Sequence, residues 1–221
     1  MFAWTGIGAR ETPQEIFDLM IEISLYMNDW NWILRSGGAA GADTAFEMGT
    51  NKKEIYLPWK NFRDNPSSLY LFSSSVNSGS AIAMAEKVWD LRYKAGNVKV
   101  KWNSLKDVTK KFMIRNIFQI FGAEVNNLSR MIFCWTKDGE ASGGTGMAIF
   151  TAEMFNKAQY NKVEKGIREI KHQIHKDGTQ GSAYIKIFNL QKADVRISIR
   201  NMLKSKTDPI LMCEPDYYKE K

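Results

Sequence analysis

Cysteine is scarce. The chain holds two in 221 residues, Cys134 and Cys213, far apart in sequence. A disulfide scaffold is therefore not expected, and a reducing compartment is the default. Long apolar runs are missing too. No segment approaches the roughly 18 consecutive apolar residues of a membrane span. The opening "MFAWTGIGAR" has no basic region followed by an apolar one, so a signal peptide is not expected and the cytoplasm is the expected location. Gly6 and Gly8 lack the third glycine of a dinucleotide fingerprint, because Glu11 stands at its position. There is no Walker-type G-x-x-x-x-G-K-[ST] and no G-x-S-x-G nucleophile elbow. Cys134 sits in an apolar run with no activating partner evident from the sequence, so nucleophilic catalysis is unsupported. Internal repeats and low-complexity tracts are also absent.

What is present suits one large α/β domain. Hydrophobic residues make up 44% of the chain, enough to bury a full core. The formal net charge is +7. Residues 155–206 hold twelve Lys or Arg against four acids, so the rest of the chain is close to neutral. A basic segment suits an anionic partner, but on charge alone a solvated lysine face is the preferred reading.

Short apolar strands alternate with helical segments. Strands are expected at Phe2–Thr5, Trp32–Leu34, Glu54–Leu57, Arg130–Trp135 and Ala183–Leu190. Thr12 and Glu15 have capping-box spacing, with Pro13 at the first helical position, and a helix is expected from there to about Asn28. Further helices are expected at about 43–48, 81–93, 105–121, 145–157 and 193–204. Residues 60–80 read as an irregular excursion and 158–181 as a polar, basic insertion. Alternation with apolar strands predicts a mainly parallel sheet with helices on both faces, a Rossmann-like α/β fold.

Three stretches of small residues fall where a strand hands over to a helix. They are "TGIGAR", "SGGAAGAD" and "SGGTG". In an open parallel sheet those ends lie along one edge, where ligands bind. Gly and Ala let backbone N–H groups approach an anion closely, and the following helix adds its unpaired amides and positive dipole end. Each stretch alone reads as a tight turn. Three on one edge predict a phosphate or ribose-phosphate site.

The segments "GIGARETP", "LRSGGAAGADTAFE", "YLPW", "IRN" and "WTKDGEASGGTGMAI" resemble the SLOG superfamily, and within it the phage-borne branch similar to DNA-processing protein A (DprA/Smf-like). The likeness covers about Thr5 to Asn189, with gaps at 60–105 and 156–182. It implies one SLOG-like domain over 1–221, with insertion-like segments at about 60–104 and 156–182. It also implies a nucleotide pocket that includes Gly6, Gly8 and Arg10 from the first turn and Ser36, Gly37, Gly38, Gly41 and Asp43 from the second. Arg115, Asn116, Gly143, Gly144 and Thr145 complete it. No catalytic residue, metal ligand or cofactor is assigned. Relatives self-associate, so a homodimer is implied.

Individual residues carry competing readings. Arg10 suits a bidentate phosphate contact or a surface ion pair. Asp43 suits a ribose hydroxyl or a brace that accepts backbone N–H bonds. Glu47 is read as tying its helix to a basic neighbour, and Trp59 as core rather than as a base-stacking ring. His172 and His175 have one-helix-face metal spacing but no evident third ligand.

Three functions compete: nucleotide-ligand binding without turnover, single-stranded DNA binding, and nucleotide N-glycoside hydrolysis. The hydrolases of the superfamily resemble G-G-x-G-T-x-x-E, whereas Ala148 stands here three residues after Thr145. The DprA turn resembles S-G-x-A-x-G-[IV]-D, usually with Arg before its second Gly, and Ala40 stands there. The expectation is a nucleotide or nucleotide-derived ligand, held without turnover, with sequestration of a nucleotide signal in phage anti-defence as the implied role. Gly38→Asp is expected to put a carboxylate in the anion's place.

Overall fold

The computed structural model describes residues 1–141, 143–160 and 185–213, and the side chains of all of these but 157–160. His172, His175 and most of the insertion-like segment 156–182 lie outside these residues.

Five strands form one sheet: β1 (Ala3–Gly8), β2 (Ile33–Ser36), β3 (Lys53–Ile55), β4 (Met131–Trp135) and β5 (Lys186–Asn189). All pair in parallel, in the order β3-β2-β1-β4-β5. Among the described residues six helices flank the sheet: α1 (Gln14–Asp29), α2 (Ala42–Met48), α3 (Ser78–Lys94), α4 (Asp107–Phe121), α5 (Gly143–Tyr160) and α6 (Ala193–Ser205). The fold is α/β and Rossmann-like, as strand–helix alternation predicted.

The two-residue period of the strands sorts the core into layers. Trp4, Leu34, Met131, Phe133 and Phe188 face α1, α2 and α6. Ile7, Ile132 and Cys134 face α3, α4 and α5. Both faces of the central strands are covered, which is why β4 reads as an unbroken apolar run. Burial pushes the Cys134 thiol up to about 12, so it stays protonated at neutral pH.

Several boundaries differ from expectation for identifiable reasons. β1 runs on through Gly8, so the first glycine stretch is strand rather than turn. A Cβ at Gly6 would lie 2.6 Å from the Phe46 ring, and one at Gly8 would lie 2.6 Å from the Ala42 Cβ. These glycines let α2 lie close on the sheet. The capping box does not form. Thr12 donates to the Ala9 carbonyl at 2.8 Å, Pro13 occupies the N-cap, and α1 starts at Gln14. Gly143, Gly144, Thr145 and Gly146 of the third stretch form the first turn of α5. Residues 60–77 are irregular apart from one 3₁₀ turn at Phe62–Asp64, while Leu57 forms an isolated bridge with Tyr70. No helix among the described residues is long and apolar enough to cross a membrane.

Candidate functional site

From β1 the chain moves outward to β2 and β3, then returns to add β4 and β5 on the other side. The strand order therefore reverses between β1 and β4, and a crevice opens there at the carboxyl ends of the strands. A cleft of about 410 Å³ occupies this place. Gly8, Ala9 and Arg10 line it after β1, Ala39 and Asp43 after β2, and Thr136 and Lys137 after β4. Gly143, Gly144 and Thr145 contribute the first turn of α5, and Thr109, Phe112, Met113 and Arg115 the facing side of α4. Among the described residues there is no group of three or more His, Cys, Asp or Glu able to hold a metal.

Seven of the thirteen residues singled out from the sequence line the cleft: Gly8, Arg10, Asp43, Arg115, Gly143, Gly144 and Thr145. The other six stand behind it. Gly6 packs under Phe46. Ser36 donates to the Gly6 carbonyl at 2.8 Å, and a Cβ at Gly37 would lie 2.0 Å from Arg115 Nη1. Gly38, at φ +65°, lies against Leu57, so an aspartate there would meet a buried leucine rather than fill the cleft. Gly41, at φ +78°, lets the second turn approach the Arg10 carbonyl, which a Cβ would meet at 2.3 Å.

Asn116 fastens the site together. Its Oδ1 accepts from Arg115 Nε (3.2 Å) and Nη2 (3.0 Å), and its Nδ2 donates to the Gly144 carbonyl at 2.7 Å. Arg115 Nη1 donates to the Gly37 carbonyl at 2.9 Å and lies 3.5 Å from Asp43 Oδ2. One hydrogen-bonded chain thus ties the second turn to α4 and α4 to the third turn. Asp43 joins the first two turns. Its carboxylate accepts from the Ala39 N–H at 3.2 Å, and the amides of Gly8 and Gly37 also act on it. Burial pushes the Asp43 carboxyl up, and Arg115 and these amides pull it back. Burial lowers the Arg115 guanidinium and Asp43 opposes the shift. A guanidinium keeps its proton in proteins, so Arg115 is a buried cation. Of the two readings for Asp43, the brace describes what it does here. Arg115 and Asn116 act as fasteners, with Arg115 also reaching the cleft wall.

Arg92 holds the third turn from behind. It is 3% exposed, donates to the Ala141 carbonyl at 3.1 Å, and lies 5.5 and 5.7 Å from the ring centres of Trp89 and Phe150. Its Nε and Nη1 have no hydrogen-bond partner among the described residues.

Two cations face the cleft uncommitted. Arg10 and Lys137 are exposed and make no ion pair among the described residues. Arg10 is also close enough to Arg115 for the two charges to interact. Among the described residues Asp43 is the one acidic residue in the lining, and it is already engaged. Among the described residues the first turn of α5 contains no acidic residue, and a helix N-terminus carries a positive dipole end. The electrostatics of the cleft therefore favour an anion. Lys137, Thr109 and Phe112 were not singled out from the sequence. Thr109, Phe112 and Met113 have i, i+3, i+4 spacing, which places them on one face of α4.

Glu47 stands outside the cleft. It lies 3.7 Å from Lys53 Nζ, as its reading as a tie to a basic neighbour expects. Burial pushes its carboxyl from 4.5 up to about 6, against the pull of Lys53. The folded chain holds this proton more tightly than the unfolded one. The protonated form's contribution is full below pH 4.5 and is lost as pH rises through 6, a decline of about 2 kcal/mol. Relative to the parent, Glu47→Gln should gain about that much stability between pH 4.5 and 7 in urea titrations. Parallel pH profiles would refute the assignment. Glu153 lines a separate cavity of about 770 Å³ bordered by α3, α5, β5 and α6.

No protein-family model matches the chain, and no curated protein or solved structure matches it significantly. The class that can be stated is structural: a Rossmann-like α/β protein with an anion-favouring cleft at its topological switch point.

Proposed function

We propose that the cleft binds a nucleotide or nucleotide-derived ligand and holds it without turnover. The observation that carries this is the meeting of three small-residue segments at one switch-point cleft where, among the described residues, Arg10 and Lys137 make no ion pair and no free carboxylate lines the wall. In this reading Arg10, Lys137 and the first-turn amides of α5 neutralise phosphate, and the hydroxyls of Thr109, Thr136 and Thr145 suit ribose oxygens. The network of Arg115, Asn116 and Asp43 keeps the three segments in place before the ligand arrives, which lowers the ordering cost of binding.

The chemistry of the described residues supports a reading without turnover. Hydrolysis of an N-glycosidic bond needs a carboxylate near the anomeric carbon. Asp43 is spent on Arg115 and backbone amides, and Glu47 and Glu153 lie elsewhere. Holding a nucleotide without consuming it would withdraw a nucleotide signal from its receptor, the anti-defence role that the sequence resemblance implies.

A thermal-shift panel of mononucleotides, cyclic nucleotides and ADP-ribose-like compounds tests the reading. At about 100 times Kd the ligand adds about 2.7 kcal/mol, or roughly 5–10 °C in Tm for a chain of this size. No shift with any member of the panel would end it. Salt then separates the runner-up, DprA-like single-stranded DNA binding. A strand bound through ~6 phosphates gives a log–log slope of about −4, whereas a ligand with one or two phosphates gives a shallow one.

A further inference from the structure

We infer that the α4 wall of the cleft is a nucleobase subsite with Phe112 as its stacking platform. The inference rests on the nucleotide reading and adds which part of the ligand each wall takes. The cleft is two-sided. The strand ends and the first turn of α5 present Arg10, Lys137 and backbone amides, while α4 presents Phe112 and Met113 beside Thr109 and the already engaged Arg115. An inorganic anion or a sugar phosphate would use only the first side. A ligand that fills both needs a phosphate at one end and a flat, polarizable group at the other.

Phe112 is built for such a contact. It is only partly buried, so some of its ring is open to the cleft. The rest is held in place. Trp59 and Phe62 meet it edge-to-face at 5.6 and 5.7 Å between ring centres, and 5.0 Å separates Trp59 from Phe62. The Arg115 guanidinium carbon lies 5.6 Å from the ring centre. A ring already fixed by three neighbours loses little freedom when a base stacks on it. Trp59 itself departs from its reading as core. It is 36% exposed and braces Phe112 from outside the cleft.

The test compares AMP, GMP, CMP and UMP with ribose 5-phosphate on the full chain by calorimetry. Base–aromatic stacking tolerates every base. The four mononucleotides should therefore bind about 10- to 100-fold more tightly than ribose 5-phosphate. Phe112→Leu keeps apolar volume without the ring. It should collapse that ratio to below about 3-fold and leave ribose 5-phosphate affinity unchanged, while Phe112→Tyr should restore the ratio. Equal binding of nucleotides and ribose 5-phosphate by the unmodified chain would overturn the base subsite and leave the phosphate site standing. So would a Phe112→Leu variant that weakens both ligand types alike, which is the mark of a merely structural ring. If neither nucleotides nor ribose 5-phosphate bind, the nucleotide reading falls and the base subsite falls with it.

Discussion

Replacing Arg115 with methionine should cost about 3–5 kcal/mol of folding stability and abolish nucleotide binding. The residue is 9% exposed, and its side chain serves three acceptors at once: the Gly37 carbonyl, the Asp43 carboxylate and Asn116 Oδ1. Methionine fills similar space and leaves all three without their donor. The Asp43 carboxylate then becomes a buried charge without its cation, the costliest part of the loss. Asp43→Asn removes that charge, so the double variant should recover part of the stability, and the coupling between the two sites should exceed about 1 kcal/mol. Lysine should not rescue, because one ammonium cannot reach both Gly37 and Asn116 as the planar guanidinium does. Urea denaturation of the parent, the two single variants, the double variant and Arg115→Lys decides the matter. A single-variant loss below about 1 kcal/mol, or additive effects, would show that the network does not hold the turns.

Much of the architecture was legible because strand ends and helix starts carry physical marks. "RMIFCW" is apolar on both faces because both faces are covered, and it emerged as β4 within one residue of expectation. Glycine was harder to read. Gly6 and Gly8 look like a turn in sequence because the reason for them lies elsewhere: Phe46 and Ala42 press on them from α2, about forty and thirty-four residues away in the chain. A packing glycine and a turn glycine cannot be told apart until the partner element is placed. The same limit affected Gly37 and Gly38, whose neighbours are Arg115 and Leu57.

Polar residues divide along similar lines. Arg10 follows β1 directly, so its place at the ligand edge could be read from the alternation of elements. Arg115 and Asn116 were singled out by resemblance, but the targets of their hydrogen bonds, 78 and 28 residues away, could not be read locally. Lys137 carried an unused signal. It lies two residues beyond the end of β4, on the same edge as the first two turns. Phe112 was hidden by its type, since an aromatic on a helix face is usually core.

Gly144→Asp tests the central claim most directly. Gly144 lines the cleft, and among the described residues a Cβ there meets only the Met113 methyl, at 3.9 Å. The aspartate therefore enters open space. In the first turn of α5 its charge favours the helix dipole, so the free protein should be as stable as the parent or up to about 1 kcal/mol more stable. The same carboxylate would stand where the account places phosphate and would repel it across a short distance. Calorimetric titration of both chains with the nucleotide giving the largest thermal shift should show binding to the parent and a loss of at least about 100-fold in the variant, with no loss of folding stability. Equal affinity of a well-folded Gly144→Asp variant for that nucleotide would contradict the account.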